Sequence, residues 1–158
     1  EAELDFTSPH HDLVTVQVEI EDVTDTEFVQ RWVESSLWGT PLYYQDALRR
    51  WPERHAAVFS AMGQACPGGV LFHCIRGHDR TGIIALLLLA LVGVTPDDII
   101  ADYELSRDPY RDELLEREHS SVRDAMLSAL EGLNIDSYLC MGGASQDDLT
   151  AVRRRFLE

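Results

Sequence analysis

Ten consecutive apolar residues, Ile83 to Val92, constrain this chain more than any other feature. The run is too short to span a bilayer, which needs about 20 residues. A helix that is apolar on every side must instead be wrapped by the rest of the domain. Gly93 ends it, and Thr81-Gly82 opens it. A second short apolar run, Val70 to His73 (VLFH), follows the turn signal Pro67-Gly68-Gly69 and has the length and composition of a buried strand. Between the two lies Cys74 to Arg80 (CIRGHDR), which fits neither helical nor strand periodicity. The core of the chain is therefore expected to read strand, tight loop, buried helix.

A loop of this kind wraps its backbone N–H groups around one point, and the positive end of the following helix faces the same point. Gly77 lets the loop turn without a Cβ. Arg80 stands where its planar fork can hold two oxygens of an oxyanion. The same field acts on Cys74. A free thiol has a pKa of about 8.5, and helix N-termini and nearby cations lower it by several units. A value of roughly 5 would leave nearly all of the sulfur as thiolate at neutral pH, a differential stabilisation of about 4–5 kcal/mol. Thr81 can add a hydroxyl hydrogen bond to that sulfur, and His73 is the second candidate for stabilising the thiolate, by orienting the loop through a hydrogen bond to its backbone. Such a site ionises its own nucleophile and binds the dianion it attacks. A proton donor for the leaving oxygen is also needed. Asp79, inside the loop, and Asp22, in the acidic segment Glu21 to Glu27 with Asp25 close by, are the two candidates.

Around this centre, alternation of Val14, Val16, Val18 and Ile20 predicts a strand over Leu13 to Ile20 with one buried face. Helices are expected over Thr26 to Leu37 and Tyr43 to Arg50. Pro52 either restarts a helix or kinks a longer one running to about Ala65. Thr95-Pro96-Asp97-Asp98 opens another helix as cap, first residue and acidic first turn. Tyr110 to Leu133 reads as one long amphipathic helix. Ser145 to Phe156 is the last, with Ser145 and Asp148 spaced for a capping box.

At 158 residues, 45% of them apolar, the chain has the size and burial capacity of one domain, residues 1–158. Its net charge of -15 argues against binding nucleic acid or anionic membrane, so any phosphorylated substrate must be held by a local positive site within a negative field. Three cysteines make no disulfide framework, and a reducing, cytoplasmic compartment is the default. No His/Cys spacing suggests a metal site, and the chemistry needs neither metal nor cofactor.

HCIRGHDRTG (His73 to Gly82) resembles the Cys-x5-Arg-Ser/Thr signature of the protein tyrosine phosphatase superfamily. It is most similar to the atypical HCxxGKDRTG branch, which includes secreted members and resembles phosphoinositide phosphatases. The likeness extends through Asp98 to Ser106 (DIIADYELS) and the closing SQDDLTAVRRRF. It implies an α/β fold, a central sheet flanked by helices, with Cys74 as nucleophile, Arg80 as phosphate binder and the backbone of Ile75, Arg76, Gly77, His78, Asp79 and Arg80 as the cradle. It favours Asp79 as general acid, while Asp22 falls where related phosphatases carry a mobile-loop acid. His78 stands where the branch has Lys, so a fixed charge becomes one that depends on pH. Glu1 to Phe6 resembles the text just after the family's second strand. A missing Arg-Asp-Leu-Gly-Gly segment would then leave a sheet edge uncovered, with homo-oligomerisation or segment exchange as ways to cover it. The expected substrate is a phosphotyrosine protein, with dual specificity as an extension. Phosphoinositides or inositol phosphates are the alternative, through extra phosphates on Arg76 and His78. Sulfur transfer of the rhodanese kind and a non-catalytic phosphate-binding module are the readings from other classes.

Overall fold

The computed structural model describes residues 13–106 and 108–158. The resemblance of Glu1 to Phe6 lies outside the described residues. Nine α-helices are present among those described: α1 (Thr26–Phe28), which runs straight into a π-helical turn (Val29–Val33), α2 (Tyr44–Arg50), α3 (Pro52–Gln64), α4 (Asp79–Leu91), α5 (Pro96–Glu104), α6 (Pro109–Arg117), α7 (Val122–Leu130), α8 (Ile135–Met141) and α9 (Gln146–Leu157). Two 3-10 turns, Leu37–Gly39 and Pro41–Tyr43, connect the π-helical turn to α2.

The helix apolar on all sides is α4, and its burial explains the architecture. Ile83, Ile84, Leu86, Leu87, Leu88 and Leu91 are all buried. Around it, α5 and α8 pack directly, α7 backs α5 and α2, and α3 lies against α8 and α9. One continuous apolar core runs from Ile20 to Val152. Local signals set the ends. Trp51 precedes Pro52, which takes the first position of α3 and separates it from α2. Thr95, Ser121, Asn134 and Ser145 each cap the helix that follows, and Ser145 with Asp148 completes a capping box.

The expected central sheet is absent: the described residues contain no strand. The expectation of an α/β fold is therefore overturned for these residues. Leu13 to Ile20 and Val70 to His73 are both non-helical, but neither forms a ladder with a neighbour. Leu71 is 88% exposed and Val14 84% exposed, so most of each segment lacks the burial a strand face requires. Alternating or continuous apolar residues favour extended backbone. A sheet further requires hydrogen-bonded neighbours, which periodicity does not supply. The expected helix over Tyr110 to Leu133 is also two helices. The chain breaks after Arg117, where His119 takes φ 53°, and restarts on the Ser121 cap.

Candidate active site

Gly82 fixes the base of the site. A Cβ there would meet the Tyr103 ring at 2.7 Å and the Tyr44 hydroxyl closer still, so only glycine admits these two buried tyrosines beneath the first turn of α4. Tyr44 in turn donates its hydroxyl to the Asp79 carbonyl at 2.8 Å. The loop that carries Cys74 is thus seated on α4 below and on α2 and α5 at the side.

Within the loop, the Cys74 N–H donates to Thr81 Oγ1 at 2.8 Å, closing the ring from strand-like entry to helix start. Gly77, at φ 76°, turns its N–H back toward the sulfur and donates to Cys74 Sγ at 3.2 Å. His73 Nδ1 lies 2.9 Å from the Cys74 carbonyl, a backbone contact rather than one to the sulfur. Helices α5 to α9 all begin with a side-chain cap, but α4 has none, so no side chain occupies the first N–H groups of this helix. An uncapped, positive helix end facing a loop of N–H donors is an anion cradle.

The electrostatics follow from these contacts. Partial burial pushes the Cys74 thiol up, but hydrogen bonds from the Thr81 hydroxyl and from the N–H groups of Thr81, Gly77 and Arg76 outweigh it, leaving a pKa of about 7. That is less acidic than the value of roughly 5 expected from the loop pattern, and desolvation is the reason. Asp79, the first residue of α4, has its carboxyl raised by burial, against the opposing charges of His78, Arg76 and Arg80. Asp22 goes the other way. The Thr24 hydroxyl at 2.6 Å, the Thr24 N–H at 2.9 Å and Arg54 at 3.1 Å engage its carboxylate and hold it below the usual range. Asp25 caps α1 and pairs with Arg50.

Beside the loop an open groove of about 240 Å³ is lined by Trp38, Tyr110, Arg76, His78, Asp79 and Asp108, among others. Asp108 caps α6 and its carboxylate is 3.7 Å from His78 Nδ1. Ile75 is 89% exposed, so its part in a cradle is confined to its backbone. The Arg80 guanidinium lies over the Trp38 ring, 5.5 Å from its centroid. Sequence reasoning missed Trp38 and Glu21. No motif marks either, and only the acidic run around Glu21 could have drawn attention to it.

A thiol of lowered pKa beside N–H donors, at the uncapped start of a buried helix with an arginine in its first turn, makes this loop the candidate active site. The chain belongs to the tyrosine phosphatase family, whose model matches residues 11–158. Similar proteins include a Cupriavidus necator protein carrying a tyrosine-protein phosphatase name, 50% identical over 33% of this chain and 20% of its own length. A tyrosine-protein phosphatase of Nostoc commune is 51% identical over 31% of this chain and 17% of its own. The triple specificity protein phosphatase PtpB of Mycobacterium tuberculosis is 39% identical over 42% of this chain and 25% of its own. The matched segments thus span a quarter or less of each relative. No solved structure matches the chain. Among the described residues no helix is long and apolar enough to cross a membrane.

Proposed function

We propose that the chain hydrolyses phosphomonoesters, phosphotyrosine first, through a cysteinyl-phosphate. The observation that carries this reading is the sulfur of Cys74, near half ionisation at neutral pH and accepting the Gly77 N–H. In the first step the thiolate attacks phosphorus, an S–P bond forms, the ester P–O bond breaks, and the leaving oxygen takes the Asp79 proton. The N–H groups of residues 75–80 and the Arg80 guanidinium hold the equatorial oxygens, where charge is greatest in transfer. In the second step water attacks phosphorus, Asp79 accepts a proton from that water, and the S–P bond breaks to return thiolate and free phosphate. The raised Asp79 carboxyl and the lowered Asp22 carboxyl favour Asp79 as the donor.

The groove beside the loop supports the aryl substrate, since Trp38 and Tyr110 give it aromatic walls. Its breadth is compatible with dual specificity. Phosphoinositides form the second reading, because Arg76 and His78 line the same groove. Asp108 beside His78 weighs against a further phosphate there.

The test is turnover of para-nitrophenyl phosphate, a phosphotyrosine peptide and a soluble phosphoinositide. Cys74→Ser should abolish all turnover. Asp79→Asn should slow alkyl phosphates by about 10²-fold or more and para-nitrophenyl phosphate, with its good leaving group, far less. Equal slowing would remove Asp79 as acid. Phosphate binding without turnover would leave a binding module. Persulfide formation from thiosulfate would point to sulfur transfer.

A further inference from the structure

Glu21 is a buried carboxylate that the proposed chemistry does not use. It is 7% exposed, one residue away from the candidate acid Asp22, and it turns inward where Asp22 turns out to Thr24 and Arg54. Trp38 Nε1 donates to Glu21 Oε2 at 2.9 Å. The other face of that contact is the oxyanion loop, because the Trp38 ring carries the Arg80 guanidinium at 5.5 Å from its centroid. Arg80 makes no hydrogen bond or ion pair with any side chain among the described residues, whereas Arg50, Arg54, Arg111 and Arg153 are each tied to carboxylates. Glu21 Oε1 and the neighbouring Tyr43 hydroxyl are buried without hydrogen-bond partners.

A buried carboxylate is retained at a cost, which an apolar residue would avoid. Here it does one thing that an apolar residue cannot: it fixes the rotation of an indole ring through its N–H. An indole face is the best aromatic partner for a guanidinium, and it leaves all five N–H donors of the fork free for oxyanion oxygens. A carboxylate in direct contact would claim some of those donors. We propose that Glu21 and Trp38 are positioning residues for Arg80: the carboxylate sets the ring, and the ring face holds the guanidinium at the loop with its hydrogen-bonding edge unspent. Burial raises the Glu21 carboxyl, opposed first by the adjacent Tyr43 hydroxyl, then by the Trp38 N–H and by the Arg80 charge, so Glu21 and Arg80 lie within each other's field.

The inference rests on the phosphatase reading, and its test separates the two. Inhibition by inorganic phosphate and the kcat and KM for para-nitrophenyl phosphate are measured in the parent, Trp38→Leu, Trp38→Phe, Glu21→Leu and Arg80→Lys, and in the Trp38→Leu/Arg80→Lys double variant. Trp38→Leu and Glu21→Leu should each weaken phosphate inhibition by about 10-fold. Trp38→Phe, which keeps a ring face, should recover most of that loss. The pH profile of Cys74 alkylation by iodoacetamide should stay in place throughout, because the Thr81 and Gly77 contacts are untouched. In the Arg80→Lys background Trp38→Leu should add little, since the group it positions has been replaced. Additive losses in the double variant would overturn the inference, as would parent-like phosphate inhibition in Trp38→Leu. If Trp38→Leu fails to fold, Trp38→Phe and Glu21→Leu decide between the same outcomes, Phe retaining inhibition and Leu losing it. A parent protein that neither turns over the ester nor binds phosphate would remove the phosphatase reading and this inference together.

Discussion

Thr81 carries two tasks with one hydroxyl. It accepts the Cys74 N–H and supplies the strongest of the hydrogen bonds that make the thiol acidic. Thr81→Val keeps the shape and removes both. The Cys74 pKa should then climb from about 7 toward the free value of about 8.5, and the iodoacetamide alkylation rate at pH 7 should fall about 10-fold. An unmoved alkylation profile would show that burial and the helix start set the pKa without the hydroxyl. At this scale the contacts of the loop were legible in the amino-acid sequence, since Cys74, Gly77 and Thr81 are close in it and local geometry alone brings them together. Trp38 was not legible, because its approach to Arg80 depends on how two distant segments pack around α4.

Among the elements, α3 and α8 are joined by a buried polar contact. His55 Nδ1 lies 2.7 Å from the Tyr138 hydroxyl, which donates to the Leu48 carbonyl at 3.0 Å. The tyrosine proton is therefore spent on the carbonyl, and His55 must donate from Nδ1, leaving Nε2 buried and bare. Burial holds the His55 pKa down to about 4 against 6.5 for the free side chain. Between those values the unfolded chain binds the proton and the folded one does not, so stability falls as pH falls. Urea unfolding should lose about 2 kcal/mol from pH 7 to pH 5 through this group, and His55→Gln should flatten that part of the profile. A slope that survives the substitution would assign it to carboxylates. Helix signals with explicit caps, Thr95 and Ser145, translated directly into α5 and α9. The break between α6 and α7 and the existence of α8 did not, because an amphipathic stripe continues across a turn, and α8 is only seven residues long. The two extended segments failed as strands for a non-local reason: pairing is a property of neighbours.

Taken as a whole molecule, the chain sets a charge of -15 around the site proposed to take a dianion. Long-range repulsion should slow encounter, and salt should relieve it, because a Debye length of about 30 Å at 10 mM shrinks to about 8 Å at 150 mM. The kcat/KM for a dianionic aryl ester should rise about 2- to 5-fold over that range in a salt that does not bind the loop. A fall would mean that local attraction at Arg76 and Arg80 outweighs the global field.

Mounting the reactive loop on α4 has a further effect. The helix that is most completely enclosed carries the guanidinium in its first turn and receives at its start the loop that holds the sulfur, so the site is footed on the interior. A truncated leucine two turns down, nowhere near any substrate, would reach the nucleophile as a tilt of the axis it stands on, and thiol acidity would become a gauge of how tightly the middle of the protein is packed.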